Sequence, residues 1–208
     1  MRKITLLLLV FTFIACSRSK FEKEWTTEKA PETFSARFET TKGNFEIEIR
    51  RSNSPAAADR LYQLISHGYY DNSVFYRVVP NYVAQFGNTD VAVMEQWRSV
   101  KIPDEPVRLG NKKGTISFAR YGKETRDLEL FINLNHNIRL DTTFVDGVKG
   151  YPALGQVSKG MEVVEELYSG YGERTMPEAD NMYADRPDFM RTFVNLDVIR
   201  TAYILSEE

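Results

Sequence analysis

The chain has 208 residues, 42% hydrophobic and 12% aromatic, which is enough for one sizeable core and too much for a disordered polypeptide. Its 27 basic and 29 acidic residues are interspersed and leave a net charge of −2, so there is no polybasic face for a nucleic-acid backbone. One cysteine excludes an internal disulfide framework and a paired-cysteine zinc site, and His67 and His136 are too few and too scattered for a metal cluster.

Met1-Arg2-Lys3 precedes an apolar run over 4–15 that ends at Cys16. Positive charges before a run this short make an export signal, because a membrane-spanning helix needs about 20 apolar residues. Phe13-Ile14-Ala15-Cys16 resembles the bacterial lipobox, with Phe13 in place of the usual leucine. The resemblance implies removal of residues 1–15, lipidation of Cys16, and attachment to the bacterial cell envelope. Ser17 after the cysteine, rather than aspartate, points to the outer membrane facing the periplasm. Residues 16–33 then read as the lipidated cysteine and a flexible polar tether, and 34–208 as the folded domain. The expected partners are the membrane, through the lipid, and no nucleic acid; the expected state is a monomer.

Phe34, Ala36 and Phe38 alternate with polar residues, as do Phe45, Ile47 and Ile49, and Thr40–Asn44 between them is turn-rich. A hairpin follows. Ser54-Pro55 reads as a cap and first turn of a helix bearing Leu61, Leu64 and Ile65 and closed by Gly68. Strands are predicted over 73–79 and around 82–85, separated by Pro80-Asn81. Residues 91–111 read as a long loop, 114–119 and 128–133 as core strands, and 141–150 as a second loop leading into a strand over 151–157. Met161, Val164, Leu167 and Tyr168 make one helical face, and 196–205 the last strand. This order predicts a mainly β domain: a closed antiparallel eight-stranded barrel capped by two α-helices.

Within it, Phe75-Tyr76-Arg77-Val78-Val79-Pro80-Asn81-Tyr82-Val83-Ala84-Gln85-Phe86-Gly87 resembles the signature of the cyclophilin-type peptidyl-prolyl isomerases. Further matching segments, among them Gly68-Tyr69-Tyr70-Asp71, Gly114–Ala119, Leu130–Asn133 and Leu154–Val157, follow in the family's order over about 38–205. The resemblance implies a cyclophilin-like barrel and isomerisation of X–Pro bonds in proline-containing polypeptides, assisting the folding of exported proteins. Such catalysis needs no nucleophile, cofactor or metal. It needs an apolar pocket for the ring and a donor for the prolyl nitrogen, which becomes pyramidal and regains its lone pair in the twisted transition state.

By the same resemblance Arg77 is that donor and Gln85 orients it, while Tyr82, Val83, Phe131, Leu140 and Tyr151 line the proline pocket. Ala119 and Arg120 flank the substrate backbone, with Arg120 where asparagine is common. Arg139 stands in place of the tryptophan of the family's drug site, so weak cyclosporin binding is expected. Glu129, also placed among the substrate-binding residues, replaces a glutamine, and an ionised carboxylate only accepts hydrogen bonds. It is expected either to pair with Arg77 or Arg120 and hold them or to draw Arg77 off the prolyl nitrogen, leaving a retained but altered activity that favours substrates with a basic residue near the proline.

Three alternatives compete with this reading. A non-catalytic chaperone or binding lipoprotein on the same barrel fits the departures at Glu129, Arg120 and Val83, but not the retained Arg77, Gln85 and Phe131. A hydrolase lacks a Gly-x-Ser-x-Gly elbow, and its only cysteine is spent at the signal. A ligand-carrying barrel leaves the Arg77–Gln85 spacing without a purpose. Residues 172–188, rich in charge with Met and Pro, carry no assignment from sequence.

Overall fold

The computed structural model describes residues 21–87 and 90–208, so Cys16 and the signal over 1–15 lie outside the described residues. Strands β1 (Thr33–Thr40) and β2 (Asn44–Arg50) form the predicted hairpin. Its register sets Phe38 opposite Phe45, Ala36 opposite Ile47 and Phe34 opposite Ile49, so the two apolar faces coincide. Helix α1 (Pro55–Ser66) packs Leu61, Leu64 and Ile65 into the same core. Ser54 does not cap it through its side chain as expected. It donates instead to the Glu105 carboxylate, which also accepts from the amides of Ala56 (2.9 Å) and Ala57 (3.3 Å) and from Arg126. A helix N-terminus leaves its first amides unsatisfied; here a distant loop satisfies them.

Strands β3 (Arg77–Val79) and β4 (Val83–Phe86) meet at a turn in which Pro80 is followed by Asn81 at φ 58°. Proline pre-sets the second turn position and asparagine tolerates the left-handed third. Within the expected loop 91–111 lies helix α2 (Val91–Arg98). Asp90 caps it by accepting from the amides of Ala92 and Val93, and Met94 and Trp97 bury its inner face. Strands β5 (Thr115–Phe118) and β6 (Leu130–Asn133) follow, and the expected loop 141–150 contains a small hairpin, β7 (Phe144–Val145) and β8 (Val148–Lys149). After β9 (Ala153–Lys159), helix α3 (Met161–Glu165) is shorter than its apolar face implied. The stretch left unassigned from sequence forms a 3-10 turn (Gly172–Glu178) and helices α4 (Ala179–Ala184) and α5 (Arg186–Thr192), before β10 (Ile199–Glu207).

Eight strands form one antiparallel sheet in the order β10-β1-β2-β9-β5-β6-β4-β3. The closed barrel expected from the strand count is a half-barrel. β10 and β3 end the sheet, and a single bridge, Val74 with Val198, spans the gap with bonds from Phe75 N to Asp197 O (2.9 Å) and Ile199 N to Ser73 O (2.8 Å). The two-helix cap is likewise corrected, since α2, α4 and α5 join α1 and the short α3 among the described residues.

The tether expected over 16–33 lies on the domain from Phe21 onward. Trp25 stacks flat on His67 at 3.8 Å, Gln63 donates to the carbonyls of Thr26 and Glu28, and the Ala30 amide donates to Asp59. His67 is therefore a half-buried packing residue.

Candidate active site

Strand register assembles the site. Arg77 on β3 lies opposite Gln85 on β4, and Gln85 lies opposite Phe131 on β6. Alternation along β4 turns Val83 to the same face as Gln85. Val83, Phe131 and Leu140 are buried as a cluster apart from the main core, with Tyr82, Ala119 and Tyr151 packed against it. Phe131 and Tyr151 meet edge to face at 5.9 Å. Leu140 enters from a 3-10 turn (Ile138–Asp141) whose carbonyl accepts from the Tyr151 amide at 2.9 Å, which ties the two walls together.

These residues line one cavity of about 390 Å³ with Arg77, Gln85 and Arg120. The structure thus brings together every sequence-predicted site residue except two: Glu129, which lines an adjoining cavity of about 530 Å³ and not this one, and Cys16, which is outside the described residues. The Arg120 side chain is fully buried where it lines the cavity. It donates to Gly150 O, faces Asp104 at 3.4 Å and lies 5.4 Å over the Tyr151 ring, and burial followed by repulsion from Arg126 lowers its pKa.

At the mouth, Arg77 Nη1 donates to Gln85 Oε1 at 2.9 Å, and the guanidinium lies 5.4 Å from the Tyr82 ring, which Arg139 approaches from 5.1 Å. Arg77 has a partner that sequence reasoning missed. Its Nε and Nη2 donate to the two oxygens of Glu173, at 2.8 and 2.7 Å. Burial alone would lower the Arg77 pKa, but the Glu173 hydrogen bonds and charge reverse that and leave it raised. The same hydrogen bonds hold Glu173 below the usual carboxylate range. Met176, three residues on, lines both this cavity and the adjoining one. The only sequence signal for the pair was an acidic residue in the unassigned stretch 172–188.

The expected partners of Glu129 are also corrected, for it meets neither Arg77 nor Arg120. Its Oε2 accepts from Tyr76 Oη (2.7 Å) and Gln85 Nε2 (3.3 Å), and its Oε1 accepts from Tyr183 Oη (2.6 Å), with Arg98 3.7 Å away. Gly87 lets this arrangement form. Its φ is 118°, and a Cβ there would meet Leu128 O at 2.7 Å and Glu129 Cα at 2.9 Å. Nearby, burial pushes the Asp127 carboxyl up to about 6 even though Arg98 lies 3.6 Å away.

Chemically, the site offers an apolar slot beside a fixed guanidinium. It suits a small apolar ring joined to a group that gains basicity as it reacts.

The family model for "Cyclophilin type peptidyl-prolyl cis-trans isomerase/CLD" matches residues 35–185. The chain is similar to a peptidyl-prolyl cis-trans isomerase of Acinetobacter baylyi, 31% identical over 130 residues, 62% of this chain and 68% of that protein. It is also 29% identical over 140 residues to peptidyl-prolyl cis-trans isomerase A of Dickeya dadantii, covering 66% of this chain and 73% of the relative. The fold is shared with the crystal structure of a Cryptosporidium parvum cyclophilin type peptidyl-prolyl cis-trans isomerase, with a TM-score of 0.61 at 19% identity over 85% of this chain and 99% of that one. A second structure of that protein was determined in the presence of the dipeptide Ala-Pro.

Proposed function

Since this chain belongs to the cyclophilin-type peptidyl-prolyl cis-trans isomerases, we propose that it turns X–Pro bonds by stabilising the twisted amide electrostatically through Arg77. The proline ring enters the slot formed by Val83, Phe131 and Leu140 beside Tyr82 and Tyr151. Uncatalysed rotation takes about 10–100 s at 25 °C because it breaks amide resonance. As the bond twists, the prolyl nitrogen becomes pyramidal, and a guanidinium proton directed at its lone pair binds this state better than the planar one. The observation that carries the reading is the Arg77–Gln85 hydrogen bond at the mouth of an apolar cavity.

Glu173 occupies two of the Arg77 donors in the free protein. Where the prolyl amide takes one of these donors, substrate entry exchanges the internal carboxylate for it. The same contact is what favours the non-catalytic reading, in which Arg77 stays paired and the groove only binds peptide. Isomerisation of an Ala-Pro test peptide, followed by a conformer-selective protease, separates the two. Acceleration by the parent that collapses in Arg77→Ala supports catalysis; no acceleration by the parent refutes it. By the lipobox resemblance, the enzyme is anchored through Cys16 in the outer membrane of a bacterial envelope, acts as a monomer, and serves exported proteins in the periplasm.

A further inference from the structure

Gln85 meets Arg77 through its carbonyl oxygen, yet a side-chain amide can present either end to a neighbour. Arg77 only donates and so asks for the oxygen, and the far end of the amide must agree with it. There Gln85 Nε2 lies against Tyr76 Oη and 3.3 Å from Glu129 Oε2. An ionised carboxylate has no proton to give, so every hydrogen-bonded neighbour of Glu129 must donate to it. Tyr76 spends its single proton on Glu129 at 2.7 Å, which leaves its oxygen only as an acceptor toward Gln85. Both contacts at that end thus demand nitrogen, and the carbonyl is left facing Arg77 Nη1 at 2.9 Å. Burial and the neighbouring Glu129 push the Tyr76 and Tyr183 phenols well up, so both keep the protons they donate.

We propose that Glu129 is a positioning residue of the isomerase site: through Tyr76 it fixes the orientation of the Gln85 amide, which in turn holds Arg77. The proposal rests on the reading of Arg77 as catalytic. Tyr183 of α4 and Arg98 of α2 hold the other oxygen of Glu129, so the carboxylate is anchored from two helices outside the sheet. A glutamine at this position offers both a donor and an acceptor, so the far end then tolerates either orientation of Gln85 and only the hydrogen bond from Arg77, which has no acceptor, opposes the flip. The carboxylate removes that tolerance and makes both ends of the amide enforce one orientation.

The test compares the full chain with Glu129→Gln, Glu129→Asp and Tyr76→Phe. It measures kcat and KM separately on an Ala-Pro peptide, and the side-chain amide resonances of Gln85 with their contacts to the Tyr76 ring. Expected for Glu129→Gln is a fall in kcat of about tenfold, the size of one net hydrogen bond, with KM within about twofold of the parent. The single Gln85 amide signal should split or lose its Tyr76 contact, and Glu129→Asp should recover part of kcat. Tyr76→Phe removes the relay and should give the same kcat-only loss, which keeps the idea testable if Glu129→Gln does not fold. Unchanged kcat with one Gln85 orientation in both variants overturns the proposal, as does a kcat loss with that orientation intact. Were the parent itself inactive, the isomerase reading would fall, while the Gln85 resonances would still decide the orientation claim.

Discussion

Replacing Glu173 by glutamine is expected to make the enzyme faster at low substrate. Glu173 binds Arg77 with two hydrogen bonds of 2.7 and 2.8 Å, but its side chain is 57% exposed against 18% for Arg77, so water screens much of their attraction. Exposed ion pairs contribute about 0.2–1 kcal/mol, and a two-pronged arginine contact sits toward the upper end, about 0.5–1 kcal/mol. If substrate must displace this carboxylate, that energy is subtracted from binding, and Glu173→Gln raises kcat/KM by about two- to fivefold, mostly through KM. Salt gives an independent check. Raising ionic strength toward 1 M shortens the screening length to about 3 Å, so the parent should gain activity while the variant does not. The pH dependence has a definite sign: because Arg77 depresses the Glu173 pKa, the clasp is fully formed above the ordinary carboxylate range and is lost as pH falls through the depressed value. Activity measured between about pH 6 and 8 should therefore show no step from this pair. A fall in kcat for Glu173→Gln, with KM unchanged and no salt response in the parent, would refute the reasoning and make Glu173 a support for Arg77 rather than an obstacle.

Two other outcomes are expected. Asp127 holds its proton to about pH 6 in the folded protein but releases it near 3.8 when unfolded, so stability falls as pH rises between those values, by up to about 3 kcal/mol. In denaturant titrations at pH 4.5 and 7, Asp127→Asn should abolish that component, and identical pH dependence in parent and variant would sink the assignment. Cys16→Ser, expressed in a bacterial host, should lose incorporation of labelled fatty acid and leave the membrane fraction; equal labelling would rule out the lipid anchor.

The pocket residues were legible through the resemblance to the cyclophilin signature, while short-range patterns accounted only for local elements. The β1–β2 hairpin follows from a period of two, and the Arg77–Gln85 spacing spans a single Pro80-Asn81 turn, so local geometry places the two side chains across from one another. Helix α2 was missed because it has only eight residues and its buried face consists chiefly of Met94 and Trp97, a periodicity too short to see. The half-barrel was read as closed because counting strands says nothing about whether the last finds the first; here that contact is one bridge.

Sequence by itself determined the β1–β2 hairpin and helix α1, since alternation and turn chemistry act between near neighbours, and resemblance to the family pointed to the pocket residues and the arginine beside them. Tertiary structure alone decided the partners of the charged groups: Glu105 on the amides of α1, Glu129 on Tyr76 and Tyr183, Glu173 on Arg77. A carboxylate carries no periodic signature. Its role depends on which distant segment folds against it and which donors that segment brings within hydrogen-bonding distance.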